Sequence, residues 1–224
     1  MTAPQDARSL VGRHPELETR LARSTVVSDS QRARLLEAMA QVVATEGYAA
    51  TTVAGVVSAA GVSRSTFYEL FESKEQCFVD AYRHGVDVLF DHVRAASRAA
   101  RADGWEAQLR ASNRAFLATL QEEPRFARTY LIEIHAAGPA ALQARGEALV
   151  RFADGFRRFH QRMRPGQAAP PREAFVVLAA GLDQAATERV RAGRADSLAE
   201  LEPIFTYCAM SILAGPGPDD DPPS

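Results

Sequence analysis

The sequence predicts an all-α protein of about nine helices, and three observations support this fold class. Apolar residues recur at intervals of three and four along most of the 224 residues. Glycines and prolines interrupt these stretches at the places where helices would end. No strand-turn-strand pattern and no internal repeat is present. The composition, 46% hydrophobic and 24% charged residues, is typical of a globular domain with a buried core.

The first predicted helix runs from about Ser28 to Glu46. Ser28 and Gln31 have the spacing of a capping box, in which each side chain pairs with the other residue's free backbone N–H. Apolar residues then recur on one face: Leu35, Leu36, Met39, Val42 and Val43. Gly47 is expected to end the helix, since glycine adopts the left-handed conformation without steric cost.

The second predicted helix begins after Thr52, although residues 51–57 have the composition of a β-strand. Thr52 is placed as an N-cap, and Gly61 as the residue that ends the helix. The apolar residues between them follow helical spacing: Val53, Val56, Val57 and Ala60. These two features favour a helix.

The third predicted helix starts at Arg64, after Ser63 as N-cap, and runs to about Phe71. Its apolar face carries Phe67, Leu70 and Phe71, and its polar face carries Arg64, Ser65, Thr66 and Tyr68. A recognition helix points such an N-terminal end at base edges in the major groove. Arginine can bind guanine through two hydrogen bonds, and hydroxyl groups suit phosphates.

A second capping box, Ser73 with Gln76, opens the fourth helix. Lys74 in its first turn is expected to meet a phosphate, because a helix N-terminus favours an anion. Together the three helices predict a DNA-binding helix-turn-helix domain. The charge of this segment counts mildly against it, because residues 28–76 hold four basic and six acidic residues. The whole chain has a net charge of −2.

The segments G-Y-x-x-T-T-V, A-G-V-S-R-S-T-F-Y and F-E-S-K-E, within residues 47–75, resemble the N-terminal domain of TetR-family transcriptional regulators. The resemblance extends over about residues 28–80. It implies a helix-turn-helix domain at 28–75 and a helical ligand-binding and dimerisation domain at 76–214. It also implies a ligand-responsive repressor that binds a palindromic operator as a homodimer. The DNA contacts implied are Thr52, Arg64, Ser65, Thr66, Tyr68 and Lys74.

Beyond Lys74 the sequence predicts only helices, the first of them ending near Arg101. The others are predicted at about 105–121, 125–136, 139–164, 172–192 and 198–213. The resemblance implies that the last two pair with their copies in a second subunit. One face would carry Phe175, Leu178, Ala179, Leu182, Ala186 and Val190, and the other Ile204, Phe205, Cys208, Ile212 and Leu213. An intramolecular core is the alternative for these residues.

The resemblance also implies a pocket for a small-molecule effector among the middle helices. The candidates in the corresponding region are Trp105, Phe116, Phe126, Tyr130, Glu133, His135 and Phe156. Aromatic residues at helical spacing more often form a core than line a pocket. Glu133 lies between apolar residues and needs a partner if buried. A cationic ligand, Arg128 or Arg157 could each supply it.

The two ends of the chain are expected to differ from the folded part. Residues 1–27 are expected to form a flexible arm, and residues 215–224, GPGPDDDPPS, an acidic disordered tail. Cys77 and Cys208 are isolated and predict no disulfide. No N-terminal apolar segment or membrane-spanning stretch is present, so a cytoplasmic protein is expected.

An enzyme is a weaker interpretation, and no catalytic residue, cofactor or metal site is predicted. Cys77 and His84 lie about 10 Å apart on one helix, too far to pair. The spacings of metal-binding histidine or cysteine pairs and a glycine-rich phosphate loop are absent from the sequence. The low basic charge supports a second alternative, a helical interaction module that no longer binds DNA. The residues do not decide between a repressor and an activator.

Overall fold

Nine α-helices and three short 3-10 helices make up the part of the chain that the structure describes. The structure is a computed structural model; it describes the backbone of residues 15–214 and the side chains of residues 27–214. The α-helices are α1 (Pro15–Glu46), α2 (Val53–Ala60), α3 (Arg64–Leu70), α4 (Lys74–Ala99), α5 (Trp105–Glu122), α6 (Pro124–Leu131), α7 (Pro139–Met163), α8 (Arg172–Arg191) and α9 (Glu202–Ala214). The 3-10 helices are Arg101–Asp103, Glu133–Ala136 and Ala195–Leu201. The predicted all-α class is confirmed.

The first helix is longer than predicted, because it begins at Pro15 and not at Ser28. No glycine or proline occurs between Pro15 and Gly47, and proline is favoured in the first turn of a helix. Ser28 therefore lies inside α1, and the capping box predicted there is wrong. The rest of the predicted arm, residues 1–14, and the predicted tail, residues 215–224, lie outside the described residues.

The helix ends follow the predicted glycine and proline signals, with one exception. Gly47 has φ 81°, and its N–H donates to the carbonyl oxygen of Val43 at 2.9 Å. The predicted helix at 125–136 is the exception: α6 ends at Leu131 and a 3-10 helix follows from Glu133. Pro203 lies in the first turn of α9, where its missing N–H breaks no helical hydrogen bond.

Two apolar clusters hold the helices together. The larger cluster joins the helix-turn-helix to the rest of the chain, and its buried members include Met39 on α1, Phe67 on α3 and Phe78 on α4. The smaller cluster lies between α5, α7, α8 and α9 and contains Leu109, Ala153, Phe159, Phe175, Leu178, Ala179, Ala209 and Leu213. α3 and α4 thus share one core, and α4 in turn packs on the middle helices.

The residues predicted for a subunit interface on α8 and α9 lie largely inside the chain. Phe175, Leu178, Ala179, Ala186, Phe205 and Leu213 are buried, and Leu182, Val190, Cys208 and Ile212 are half-buried. The structure therefore has the intramolecular core that was the alternative for this set. The apolar residues that α8 and α9 expose are Val177, Ile204 and Tyr207, of which only Ile204 was predicted.

Candidate nucleic-acid interface and ligand cavity

The α2–turn–α3 unit is fixed by side-chain caps at both helix starts. The Thr52 hydroxyl accepts a hydrogen bond from the Gly55 N–H at 3.1 Å. The Ser63 hydroxyl accepts one from the Thr66 N–H at 3.0 Å. Gly61 turns the chain between the helices with φ 61°, a conformation that favours glycine. Both predicted N-caps are confirmed, and they set the direction in which α3 leaves the turn.

The outer face of α3 carries the polar residues predicted for DNA. Arg64 and Ser65 are exposed, Thr66 is half-buried, and the Tyr68 side chain is 50% exposed. The Arg64 guanidinium lies over the Tyr68 ring, 5.7 Å from its centroid. Arg64 has no ion pair with any residue of the described part of the chain. Its hydrogen-bond donors therefore remain available to an external acceptor.

The α3 hydroxyl groups are organised around Ser63. Its oxygen lies 2.7 Å from the Ser65 hydroxyl and 2.9 Å from that of Thr66. Thr52 is exposed at the start of α2, where its oxygen accepts the capping bond and its proton remains free to donate. Such hydroxyl groups at helix N-termini can donate to phosphate oxygens.

Lys74 has a structural role that the sequence did not predict. Its ammonium group donates to the carbonyl oxygens of Tyr48 and Thr51, both at 2.9 Å. It also lies 4.2 Å from the centroid of the Tyr48 ring. An ammonium group has three N–H donors, so one remains for a phosphate. The main contacts of Lys74 thus join α4 to the segment between α1 and α2.

Glu133 joins the same segment to the middle helices. Its side chain is buried, with the residue 8% exposed. One carboxylate oxygen accepts a hydrogen bond from the Tyr48 N–H at 2.9 Å, and the other accepts from Arg128 Nε at 3.1 Å. Of the partners considered for Glu133, Arg128 is therefore the one that the structure shows. Ligand binding by Glu133 is not supported by this geometry.

A cavity of about 190 Å³ lies among α4, α5, α6, α7, α8 and α9. Of the predicted ligand residues, Phe116, Tyr130 and Phe156 line it. Most of the wall is apolar, and Arg94, Arg158 and Arg162 are its cationic members. Asn113 and Asp183 add polar groups. The cavity can therefore hold an apolar body and pair a charged group at its edge.

The other four predicted ligand residues do not line the cavity. Trp105 packs half-buried against the smaller cluster, and His135 is exposed. Phe126 stacks on Tyr130, with ring centroids 5.5 Å apart, and occupies the space beside Gly85. With Glu133, these residues lie outside the cavity wall, although the sequence analysis took them as ligand candidates. Trp105 and Phe126 share a helix with lining residues, whereas Glu133 and His135 lie in the 3-10 helix after α6, which does not line the cavity.

The sequence analysis missed the charged lining residues. Asp183 is 4% exposed and pairs with Arg145 through a charged hydrogen bond. Burial raises the pKa of Asp183, and the Arg145 charge opposes that shift. The sequence did contain a signal for this site, because Asp183 lies on the apolar face of α8, between Ala179 and Ala186. An ionised group at such a position needs a partner, and a search for one would have led to this site.

Two tyrosines lie beside this ion pair. The rings of Tyr82 and Tyr130 stack with centroids 5.5 Å apart. Burial holds the pKa of both phenols above their usual value, and the Asp183 charge adds to the shift. Both hydroxyls therefore stay protonated and can donate hydrogen bonds at neutral pH.

Within the described residues no helix is long and apolar enough to cross a membrane. The same part of the chain holds no group of three side chains placed to bind a metal ion.

Residues 35–81 match the family model of the bacterial regulatory proteins of the tetR family. A comparison with curated protein sequences gives no significant match.

Solved structures share the fold over most of the chain. The fatty acid degradation regulator FadR from Bacillus halodurans aligns with a TM-score of 0.69 and 20% identity, over 83% of this chain and 95% of that one. FadR from Bacillus subtilis, in complex with stearoyl-CoA, aligns with a TM-score of 0.65 and 16% identity, over 80% of this chain and 97% of that one. A TetR-family regulator from Marinobacter aquaeolei aligns with a TM-score of 0.58 and 22% identity, over 81% of this chain and 95% of that one. Residues 35–81 therefore match the helix-turn-helix domain of the tetR-family regulatory proteins, and the chain shares the fold of solved regulators over most of its length.

Proposed function

We propose that this protein is a sequence-specific DNA-binding repressor in which α3 enters the major groove. The observation that carries the proposal is the outer face of α3, where Arg64 is exposed and has no carboxylate partner in the described residues. Arg64 would read a guanine, and the hydroxyls of Ser65, Thr66, Tyr68 and Thr52 would bind phosphates. Lys74 would give its remaining N–H to a phosphate while it holds the domain together.

The repressor would act as a homodimer, because a single α3 reads only half of a palindrome. The exposed apolar residues of α8 and α9 support this part of the proposal. The side chains of Val177 and Tyr207 are each 68% exposed, and Ile204 is 50% exposed. Gly181 is also exposed on α8, and nothing in the described chain lies within 4 Å of the position where its Cβ would be. A second copy can therefore approach this face closely, with two-fold symmetry.

The effector would be an acyl compound with an anionic head. The apolar wall of the cavity suits a hydrocarbon chain, and the three arginines that line it suit a carboxylate or a phosphate. The structurally similar FadR from Bacillus subtilis was crystallised with stearoyl-CoA, a ligand of this kind. Binding would favour a state in which the two recognition helices no longer fit successive major grooves. A coupling of about 1–3 kcal/mol changes affinity roughly 5–150-fold.

The test compares Arg64→Ala with Arg157→Ala on DNA that the wild-type protein selects. Arg157 is also exposed but lies on α7, far from α3 along the chain and outside the cavity wall. Loss of a base contact of this type costs about 1–3 kcal/mol, so Arg64→Ala should weaken binding roughly 5–150-fold for each half-site. Arg157→Ala should bind as the wild type does. Equal affinity of all three proteins would show that α3 does not read DNA.

A further inference from the structure

The cavity has two chemically different ends. Arg158 and Arg162 are exposed, so they mark an open end, whereas Tyr130 and Asp183 are buried at 2% and 4% exposure and mark a closed end. Arg145, the partner of Asp183, lies on the same helix as Arg158. At 1.5 Å per residue the stretch of α7 between those two arginines is about 20 Å long. A ligand whose charged head binds at the open end would therefore place the tip of its chain near Asp183.

The closed end holds polar groups that have no partner. One carboxylate oxygen of Asp183 accepts from Arg145, and no hydrogen bond to the other is made by any described residue. Behind this end the Tyr82 hydroxyl and the Arg145 Nε are also buried without a hydrogen-bond partner in the described chain, although neither residue lines the cavity. Buried polar groups cost free energy unless a water molecule or a ligand group pairs with them. A purely hydrocarbon tip would leave the second carboxylate oxygen of Asp183 unpaired.

The charge at the closed end selects the kind of polar group. Arg145 already neutralises Asp183, so a cationic tip would add an unpaired charge to a buried site. An anionic tip would meet the carboxylate of Asp183, a lining residue. A hydroxyl group can donate to the Asp183 oxygen that Arg145 leaves free and accept from the phenol of Tyr130, also a lining residue. A neutral donor that can also accept therefore fits best.

We propose that the closed end of the cavity, formed by Asp183 and Tyr130 and backed by Arg145 and Tyr82, binds a hydroxyl group at the far end of the effector's acyl chain. This inference rests on the proposed function, because it takes the acyl chain and the anionic head from it. It adds the chemistry of the tip: the effector is an acyl compound hydroxylated at or near its terminal carbon.

The test measures binding of matched fatty acids to the full-length protein by isothermal titration calorimetry. The probes are dodecanoic and hexadecanoic acids and the ω-hydroxy derivative of each. The hydroxylated member of at least one pair should bind about tenfold more tightly or better, as expected for a hydrogen bond to a charged group. Equal or weaker binding of both hydroxylated probes would overturn the inference and leave the proposed acyl effector intact. Binding of none of the four acids would overturn both.

Two variants locate the preference. In the double variant Arg145→Met with Asp183→Leu, apolar residues of similar size replace the ion pair, an exchange that buried pairs often tolerate. The ratio of the two affinities should fall to about one, because the acceptor is gone. Arg158→Gln should weaken both members of a pair and keep their ratio. A folded double variant that keeps the hydroxyl preference would contradict the assignment. If the double variant fails to fold, the ratio of the two affinities measured on the wild-type protein still tests the inference.

Discussion

At the scale of single residues, polar side chains form contacts within the chain where the helix-turn-helix meets the middle helices. Lys74 was expected to meet a phosphate. Glu133 was expected to pair with a cationic ligand or with one of two arginines, of which Arg128 does pair with it. Both side chains also bind the segment that follows α1, a contact that the sequence did not predict. The hydrogen bond from Tyr48 to Glu133 joins residues 85 positions apart, and no local spacing encodes such a contact.

The Glu133 contact leads to a prediction about stability. Glu133→Ala would leave the half-buried Tyr48 N–H without its charged acceptor and Arg128 without its ion pair. A hydrogen bond to a charged group contributes about 1.5–3 kcal/mol, so the free energy of unfolding should fall by about 2 kcal/mol. Urea denaturation followed by circular dichroism measures the change.

The control for this prediction is Glu147→Ala. Glu147 pairs with Arg83 on the surface, where both side chains are 50% exposed. An exposed ion pair contributes at most about 1 kcal/mol, so this variant should be nearly as stable as the wild type. A Glu133→Ala variant no less stable than Glu147→Ala would show that the contact between Glu133 and the segment after α1 does not stabilise the fold.

At the scale of helices, the sequence predicted boundaries well wherever a cap or a glycine fixed them. α2 has strand-like residues, but the Thr52 cap and Gly61 decide its structure, and both were readable in the sequence. The start of α1 was not readable, because Ser28 has the spacing of a cap yet lies in a helix that simply continues. The end of α6 was also missed. The 3-10 helix that follows at Glu133 is bound to the segment after α1 by the Tyr48 hydrogen bond, a distant contact that the sequence does not show.

The packing of α6 on α4 gives a second prediction. A Cβ on Gly85 would lie 2.4 Å from the Phe126 ring, closer than atoms can approach. Gly85→Ala therefore forces the ring to move, and overpacking of this kind costs about 1–3 kcal/mol. Thermal unfolding should show a lower melting temperature for this variant.

Gly146→Ala is the matched control on α7, because nothing lies within 4 Å of the Cβ position there. Alanine is the better helix former by about 1 kcal/mol, so this variant should be more stable than the wild type. The two glycine replacements thus shift the melting temperature in opposite directions. An upward shift for both would mean that Phe126 does not pack against Gly85.

At the scale of the whole molecule, the sequence could not separate the inner and outer faces of α8 and α9. Both helices carry apolar residues around most of their circumference, so periodicity alone does not select a face. The chain uses Phe175 and Phe205 for its own core and exposes Val177 and Tyr207. Only the packing of the other helices shows which set remains for a second subunit.

The exposed set gives a prediction about assembly. Val177→Arg places a charge on the proposed subunit interface, where it would be buried without a partner. The variant should be monomeric at concentrations at which the wild type is dimeric, and it should bind operator DNA more weakly. Leu142→Arg, at a residue that is 48% exposed on α7, is the control and should stay dimeric. Sedimentation equilibrium measures both; a dimeric Val177→Arg protein would exclude this face as the interface.

The most direct measurement is selection of bound sequences from random duplex DNA with the purified protein at near-physiological salt. The proposed dimer with two α3 helices predicts an enriched palindrome, with half-sites about one helical turn or a multiple of it apart. Arg64→Ala should enrich the same sequence poorly or not at all. If the folded wild-type protein enriches no sequence, also at low salt, it is not a sequence-specific DNA-binding regulator, and the helix-turn-helix serves as an interaction module.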